Sequence, residues 1–286
     1  MTLRLADIGA RIEGVEQLGA VVNAMRGIAA ARAQQARTQV AAVDTYAATI
    51  AIAIGRALAL MPSPIPADEV AVPDPAAPKP ALVVFAAEQG FAGAFSEHVF
   101  ASLGDQLAGS RLFLLGSRGA SLAAERGFAP VWSSAMPSHS GGTPKLAEQV
   151  SAALYAGIAK GEIGRLDVIF SQRDPGQSAV IKRVALLPLD LSRFPSTHQA
   201  SPPLHNLDPA ELVAGLAADY LHAQLCQAAL HSFATENEAR MEAMAAARDQ
   251  VARQLAELQA TERRVRQEDI TAEVIELAAG AVASRG

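Results

Sequence analysis

The feature that most constrains this chain is a long C-terminal stretch with no helix breaker. From about Asp208 to Ala283 no proline follows Pro209, and the residues favour one unbroken helix. At about 1.5 Å per residue, such a helix would span roughly 110 Å. Because that length exceeds what a compact domain can contain, the sequence predicts an extended helical element.

An apolar seam with coiled-coil spacing runs along this predicted helix. Alternate steps of four and three residues meet mostly apolar side chains, with a few polar interruptions. The seam positions are Leu230, Ala234, Asn237, Met241, Met244, Arg248, Val251, Leu255, Leu258, Glu262 and Val265. A stripe this narrow predicts packing against one partner helix.

The seam changes phase after Val265. The later apolar positions are Ile270, Val274, Leu277 and Ala281. The shift falls inside a polar cluster that runs from Arg263 to Asp269. We therefore expect the last turns to leave the first partner helix and to meet a different surface.

A second and more regular heptad occupies the N-terminal region, from Leu3 to about Leu60, and Arg26 is its only charged position. Its positions are Ile8, Ile12, Val15, Gly19, Val22, Arg26, Ala29, Ala33, Ala36, Val40, Val43, Ala47, Ile50, Ile54 and Ala57. The pattern predicts a helix of roughly 80 Å, and its small central residues permit a close helix contact. The C-terminal helix is the expected partner, and the pairing is antiparallel if the intervening segment returns the chain to the side that it left.

Two proline-rich segments separate these helices from the middle of the chain. Met61–Pro80 contains seven prolines, and prolines recur between Pro188 and Pro209. Proline removes amide donors and fixes φ, so both segments are predicted to be extended linkers. The predicted boundaries are 1–60 for the N-terminal helix, 61–80 for the first linker, 81–190 for a central domain, 191–207 for the second linker and 208–286 for the C-terminal helix.

The central segment alternates between strand and helix patterns. Predicted strands are 81–87, 111–115, 128–132, 166–171 and 179–187, and predicted helices are 96–107, 121–126 and 144–160. The turn signal at 172–178 suggests that the last two strands are antiparallel. The predicted fold class is therefore α/β, a long antiparallel two-helix coiled coil with an inserted small domain whose sheet is mostly parallel.

Composition argues against several classes of protein. A net charge of −5, without a basic stripe, disfavours nucleic-acid binding. The single Cys226 cannot form an intrachain disulfide and is read as a buried thiol in a reducing compartment. No signal peptide and no run of eighteen uninterrupted apolar residues is evident, so we expect a cytosolic chain that can dock on a membrane assembly.

Motifs for catalysis, cofactors and metals are weak or missing in the sequence. Glu88–Phe95 has two glycines three residues apart but neither phosphate-binding fingerprint, so a tight strand-to-helix turn is favoured over a nucleotide site. The six histidines show no zinc spacing, and no nucleophile elbow occurs. We predict no catalytic residue, no cofactor and no metal, and we assign the function to the long helices.

The two terminal helices and the glycine turn also carry a family resemblance. The C-terminal residues that match are Ser232, Glu236, Ala239, Arg240, Met241, Ala243, Met244, Ala247, Arg266, Gln267, Ile270, Thr271, Glu273, Val274, Glu276, Leu277, Gly280, Ala281 and Ala283. Those in the first helix and the turn are Arg11, Ile12, Ala24, Met25, Arg26, Ala29, Ala30, Arg32, Gly90, Phe91, Ala92, Gly93 and Phe95. In this order the chain resembles the gamma subunit of the F-type ATP synthase. Departures at Gln89, Ala92 and Ser96 leave open a divergent paralogue in a second, sodium- or proton-linked rotary ATPase.

The resemblance implies a mechanical function. Such a subunit is a non-catalytic rotor shaft that couples ion flow through a membrane ring to ATP synthesis or hydrolysis. It implies three catalytic and three non-catalytic subunits as partners, with an epsilon-type small subunit and the ion-carrying ring, on the cytoplasmic face of the bacterial inner membrane. The residues implied for contact with the catalytic ring are Arg266, Gln267, Thr271, Met25 and Arg26. Those implied for an apolar bearing at the tip are Val274, Leu277 and Ala281.

Three alternatives remain open at this point. Arg26 can instead set the register of the coil by pairing with Glu262 or another acid of the seam. The whole chain can be a coiled-coil scaffold or adaptor without a rotary role. An enzyme built on the segment Ala81–Leu189 would bind a nucleotide or a sugar.

Overall fold

The chain begins and ends with a long helix, and shorter alternating elements lie between the two in sequence. The computed structural model describes residues 2–61, 78–104, 106–174, 176–194 and 204–283. The elements are α1 Thr2–Leu58, β1 Ala81–Phe85, α2 Phe95–Leu103, α3 Gln106–Gly109, β2 Arg111–Leu115, α4 Ser117–Glu125, β3 Trp132–Ser134, α5 Thr143–Ala159, β4 Leu166–Gln172, β5 Val180–Leu187 and α6 Pro209–Ala283. Short 3-10 turns occupy Ser140–Gly142 and Leu191–Arg193. Both predicted long helices are confirmed, whereas most of the two proline-rich linkers lies outside the described residues, and the five boundaries stay predictions.

The start of α6 follows the predicted capping chemistry. Asp208 accepts a hydrogen bond from the backbone N–H of Ala210 through Oδ1 at 2.9 Å. Pro209 occupies the first helical position, where its missing N–H costs no hydrogen bond. The cap and the proline together fix where the last helix begins.

Three predictions in the central segment were wrong in detail. The predicted helix 96–107 is two helices, because Gly104 at φ 50° ends α2 before α3 begins. The strand predicted at 128–132 lies instead at Trp132–Ser134. Phe128 is not part of it, because its N–H donates to the Ala123 carbonyl at the end of α4. Helix α4 itself begins at Ser117 rather than at residue 121.

The sheet is mostly parallel, as predicted. Its strand order is β3-β2-β1-β4-β5, and only the β4–β5 pair is antiparallel. Strand β1 is paired on both sides, with Val83 opposite Phe113 of β2 and opposite Val168 of β4. Its continuous apolar run suits a strand whose two faces are both covered.

The chain divides into two compact units, Ala30–Ala239 and Met1–Ala29 with Arg240–Gly286. In the first unit, helices cover both faces of the sheet. One face packs against α5 and α6 through residues such as Leu154, Leu225 and Phe233. The other face packs against α2 and α4 through residues such as Phe100 and Leu122. The result is a three-layer α/β arrangement in which part of the long C-terminal helix belongs to the core.

Within this first unit, α1 and α6 run antiparallel. Arg37 of α1 binds Glu238 of α6 with 2.5 Å between Nη2 and Oε1. About two turns further along α1, Asp44 accepts a hydrogen bond from the Gln227 side chain at 2.6 Å. Because the residue number rises on α1 while it falls on α6, the predicted antiparallel pairing is confirmed here.

The second unit is a helix pair. A Cβ atom added at Gly19 would lie 3.2 Å from Val251 Cγ1, so α1 and α6 approach closely at this point. Ile8 and Val22 of α1 and Met244 and Val265 of α6 are buried. All fifteen predicted heptad positions of α1 are buried or half-buried, which confirms that the seam on α1 faces its partner.

One described helix passes a composition test for membrane spans. Within Leu5–Leu58 an 18-residue window reaches a mean hydropathy of 1.3, and 28% of that window is buried. The core helices of other proteins pass the same test, so this is weak support for a membrane span.

Two helical glycines give a test of how tightly the layers pack. A Cβ atom at Gly119 in α4 would lie 2.2 Å from the Ala86 Cβ, whereas Gly14 in α1 has no such neighbour within 4 Å. We expect Gly119→Ala to lower the free energy of unfolding by about 1–3 kcal/mol through overpacking. Gly14→Ala should instead raise it by up to about 1 kcal/mol, because alanine favours the helix. Chemical denaturation of the two variants checks this, and equal effects would contradict the packing described.

Candidate functional site

The last turns of α6 carry exposed apolar side chains. Ile270, Val274 and Leu277 are 55%, 58% and 75% exposed. The close approach of Gly19 to Val251 explains this exposure. Because α1 begins at Thr2 and the two helices are antiparallel, the start of α1 lies alongside α6 about seventeen residues beyond Val251, and later turns of α6 have no partner helix there among the described residues. The prediction that these turns leave the first partner helix is confirmed, and the surface that they meet stays a prediction. Ala281 lies in the same helix.

Arg266, Gln267 and Thr271 lie on the exposed surface of α6 just before this tip. Arg266 Nη2 is 2.6 Å from Glu262 Oε1, one turn earlier on the same helix. The Thr271 hydroxyl donates to the Gln267 carbonyl at 2.8 Å. A solvent-exposed ion pair of this kind contributes about 0.3–0.5 kcal/mol, so the Arg266 guanidinium can exchange it for a stronger partner at little cost.

Met25 and Arg26 are half-buried on α1. The suggested pairing of Arg26 with Glu262 was wrong, because Glu262 binds Arg266. The register also separates the two residues: Glu262 lies about three turns beyond Val251, toward the start of α1, whereas Arg26 lies beyond Gly19 in the opposite direction. Pairing of Arg26 with another acid of the seam and contact with a surrounding ring both stay predictions.

The sequence reasoning missed a polar stretch of α6 that is buried on every side. All residues from Ser232 to Glu238 are buried, although a helix with a single partner should bury one stripe. Ser232 accepts a hydrogen bond from the Ser171 N–H at 3.2 Å. The Thr235 hydroxyl donates to the His231 carbonyl of its own helix at 2.8 Å and shares the same proton with the Ser171 carbonyl at 3.3 Å. These bonds attach α6 to the end of strand β4.

Two glutamates in the same stretch bind other parts of the unit. Glu236 accepts hydrogen bonds from the N–H groups of Glu88 and Gln89, at 3.0 and 3.2 Å, in the turn after β1. Glu238 lies between Arg37 of α1 and Arg173 beyond β4, at 2.5 and 3.6 Å. The signal in the sequence is the polar run at 235–238, which follows apolar residues such as Leu230 and Phe233. Ser232 and Glu236 are also among the residues that carry the family resemblance.

The turn Glu88–Phe95 is organised by its own carboxylate. Glu88 accepts bonds from the Ser117 N–H at 2.9 Å, the Ser117 hydroxyl at 2.7 Å and the Met136 N–H at 2.7 Å. It thereby occupies the N-terminus of α4, where an anionic ligand would otherwise be favoured. The geometry suits the strand-to-helix turn that the sequence favoured.

A polar cavity of about 360 Å³ lies between α1, the end of β4 and α6. His231 lines it and stacks on Phe170 with 5.8 Å between ring centroids. Burial lowers the pKa of His231, and the charges of Asp44 and Asp174 partly oppose that shift. Among the residues that the structure describes, no three His, Cys, Asp or Glu side chains are placed to share a metal ion.

Comparison with known proteins identifies the family of this chain. A family model described as ATP synthase matches residues 4–283. The chain belongs to the gamma-subunit family of the ATP synthase. It is 26% identical over 292 residues to the ATP synthase gamma chain of Chlorobium luteolum, covering 97% of both chains. It is 28% identical over 297 residues to the gamma chain of Frankia casuarinae, covering 98% of both.

Solved structures of ATP synthase rotors share the fold. The rotor of the Euglena gracilis mitochondrial ATP synthase in rotational state 1 matches with a TM-score of 0.63 at 12% identity, covering 94% of this chain and all of that one. A second Euglena structure, described as OSCP/F1/c-ring in rotational state 3, matches with a TM-score of 0.64 at 12% identity, covering 99% of this chain and 95% of that one. At 12% identity the structural similarity establishes only the fold. The match to the family model over residues 4–283 establishes that the chain belongs to the family.

The half-buried His231 gives a prediction for pH dependence. Because the pKa of His231 is lowered on folding, the unfolded chain binds a proton more readily than the folded one. The stability contributed by neutral His231 is therefore present above its ordinary pKa and is lost as the pH falls below it. Urea unfolding of this gamma chain between pH 7 and 5 should show this loss, and His231→Phe should reduce it while keeping the stack on Phe170. An unchanged slope in the variant would contradict the assignment.

Proposed function

We propose that this chain is the central rotor shaft of an F-type ATP synthase, and that it couples ion flow through a membrane ring to ATP synthesis or hydrolysis by turning. The observation that carries this proposal is the helix pair whose C-terminal member continues past its partner with exposed apolar turns. Family membership supplies the activity of the complex. The chain itself is a subunit of that complex, and its catalytic chemistry lies in other subunits.

We assign different partners to the exposed tip of α6, to the polar residues just before it, and to the α/β layers. The tip with Val274, Leu277 and Ala281 turns in an apolar bearing. Arg266, Gln267 and Thr271, together with Met25 and Arg26 on α1, contact the three catalytic and three non-catalytic subunits. The α/β layers and the adjoining helix ends bind the ion-carrying ring and an epsilon-type small subunit. This places the chain at the cytoplasmic face of the bacterial inner membrane, as a peripheral subunit.

Rotation at the tip requires weak and non-directional contacts. Exposed apolar side chains such as Val274 and Leu277 gain free energy from any apolar sleeve, and the hydrophobic effect has no preferred angle. A charged group such as Arg266 gives an interaction that depends on angle and changes as the shaft turns. The combination suits a shaft that slides in a bearing while it acts on one surrounding subunit at a time.

Reversing the charge at Arg266 tests the proposed contact. We expect Arg266→Glu to lower ATP synthesis by membrane vesicles by roughly ten- to hundredfold, because losing a charged hydrogen bond costs about 1.5–3 kcal/mol and each 1.4 kcal/mol is a factor of ten. The repulsion that it creates with Glu262 is small, about 0.2–0.5 kcal/mol, so the helix should persist.

The matched control is Arg118→Glu, an equal charge reversal at an exposed position on α4. It should leave synthesis within about twofold of the parent complex, since isolated surface charges contribute little. If Arg266→Glu and Arg118→Glu gave the same rate in equally assembled complexes, the contact assigned to Arg266 would be wrong.

A further inference from the structure

The segment of α6 from Ser232 to Glu238 is held differently from the rest of the helix. Over these residues every side chain is buried, whereas from residue 241 to residue 280 of the same helix only Met244 and Val265 are buried. Four of the buried side chains bind groups outside α6: Ser232, Thr235, Glu236 and Glu238. We call these four residues the α6 clamp.

The clamp bonds leave the helix in several directions. Ser232 and Thr235 bind the backbone of Ser171 at the end of β4. Glu236 binds the backbone after β1, and Glu238 binds Arg37 of α1. At about 100° per residue, the four side chains span roughly 160° of the helix circumference. Turning the helix about its own axis therefore strains bonds on both of its sides.

The type of interaction matters as much as its direction. Apolar packing has no preferred angle and lets a helix shift or turn between neighbouring positions. Hydrogen bonds weaken steeply when donor and acceptor lose alignment, and a buried carboxylate that loses its N–H donors is left unpaired in a medium of low dielectric. A polar clamp thus resists a twist that an apolar seam of the same area would allow.

We propose that the α6 clamp is the joint through which torque passes between the α/β layers and the shaft. Its residues are positioning residues: they touch no nucleotide and act by fixing the rotational angle of α6 against β4 and the turn after β1. Helix α6 runs from Pro209 to Ala283 and therefore contains both the clamp and the residues of the seam. This inference rests on the rotor function proposed above.

Glu236→Gln in the full chain, assembled into the complex in membrane vesicles, tests the clamp. The substitution replaces one acceptor oxygen by an amide that faces an N–H donor. We expect the amide hydrogens of Glu88 and Gln89 to exchange about tenfold faster, because a charged hydrogen bond is lost. ATP hydrolysis without an opposing gradient should be unchanged, whereas the largest ion gradient that hydrolysis sustains should fall about twofold or more, because the joint slips under load.

The control is Glu148→Gln, which removes the same charge from an exposed position on α5 and should change none of these quantities. Ser232→Ala is the milder second variant if Glu236→Gln does not assemble, and it should lower the sustained gradient in the same direction. Faster exchange at Glu88 and Gln89 with an undiminished gradient would overturn the clamp. A parallel fall in hydrolysis and gradient would mean a purely structural role and would also overturn it. Failure of the unaltered chain to support any pumping would instead refute the rotor function.

Discussion

The arrangement depends on one constraint, the burial of α6 on all sides between Ser232 and Glu238. A helix that needed only a coiled-coil partner would expose most of its surface, yet here it is surrounded by the sheet and by α1. Each polar side chain of this stretch has a hydrogen-bond or ion-pair partner within the unit. Glu238 Oε2 is the weakest case, because it makes only a 3.6 Å ion pair with Arg173 and, among the described residues, no hydrogen bond. The same helix is therefore a core element of the α/β layers and, further along the sequence, one member of a helix pair.

The phase change after Val265 divides the helix a second time. Up to that residue most of the seam is shielded, as at Met244 and Val265, although Arg248 is exposed. Beyond it Ile270, Val274 and Leu277 are exposed. A polar cluster at the division gives Arg266 a weak partner on its own helix, which leaves it available to others. The fully buried stretch, the shielded seam and the exposed tip are thus three consecutive segments of a single helix.

Periodicity was enough to predict the long helices, because a coiled-coil helix buries one face at regular spacing. The mostly parallel sheet was predicted from the alternation of strand and helix patterns, and the antiparallel helix pairing was predicted only on the condition that the middle segment returns the chain. Periodicity failed at Gly104, where one glycine ends a helix, and at Phe128, whose N–H returns to the preceding helix. The role of Glu236 was also hidden, since its partners are backbone N–H groups far away in the sequence. Those partners become visible only when the fold brings the turn after β1 against α6. The contact residues at the tip were predicted from resemblance, and their exposure supports that interpretation without assigning their partners.

Direct observation of rotation is the measurement that tests the central claim. Burial raises the pKa of the Cys226 thiol to about 11 and so keeps it unreactive, which allows a cysteine introduced at exposed Ser121 on α4 to be labelled selectively. With the catalytic subunits fixed to a surface and a particle attached at this position, addition of ATP should turn the particle continuously in one direction. A particle that stays still while the same complexes hydrolyse ATP would contradict the account.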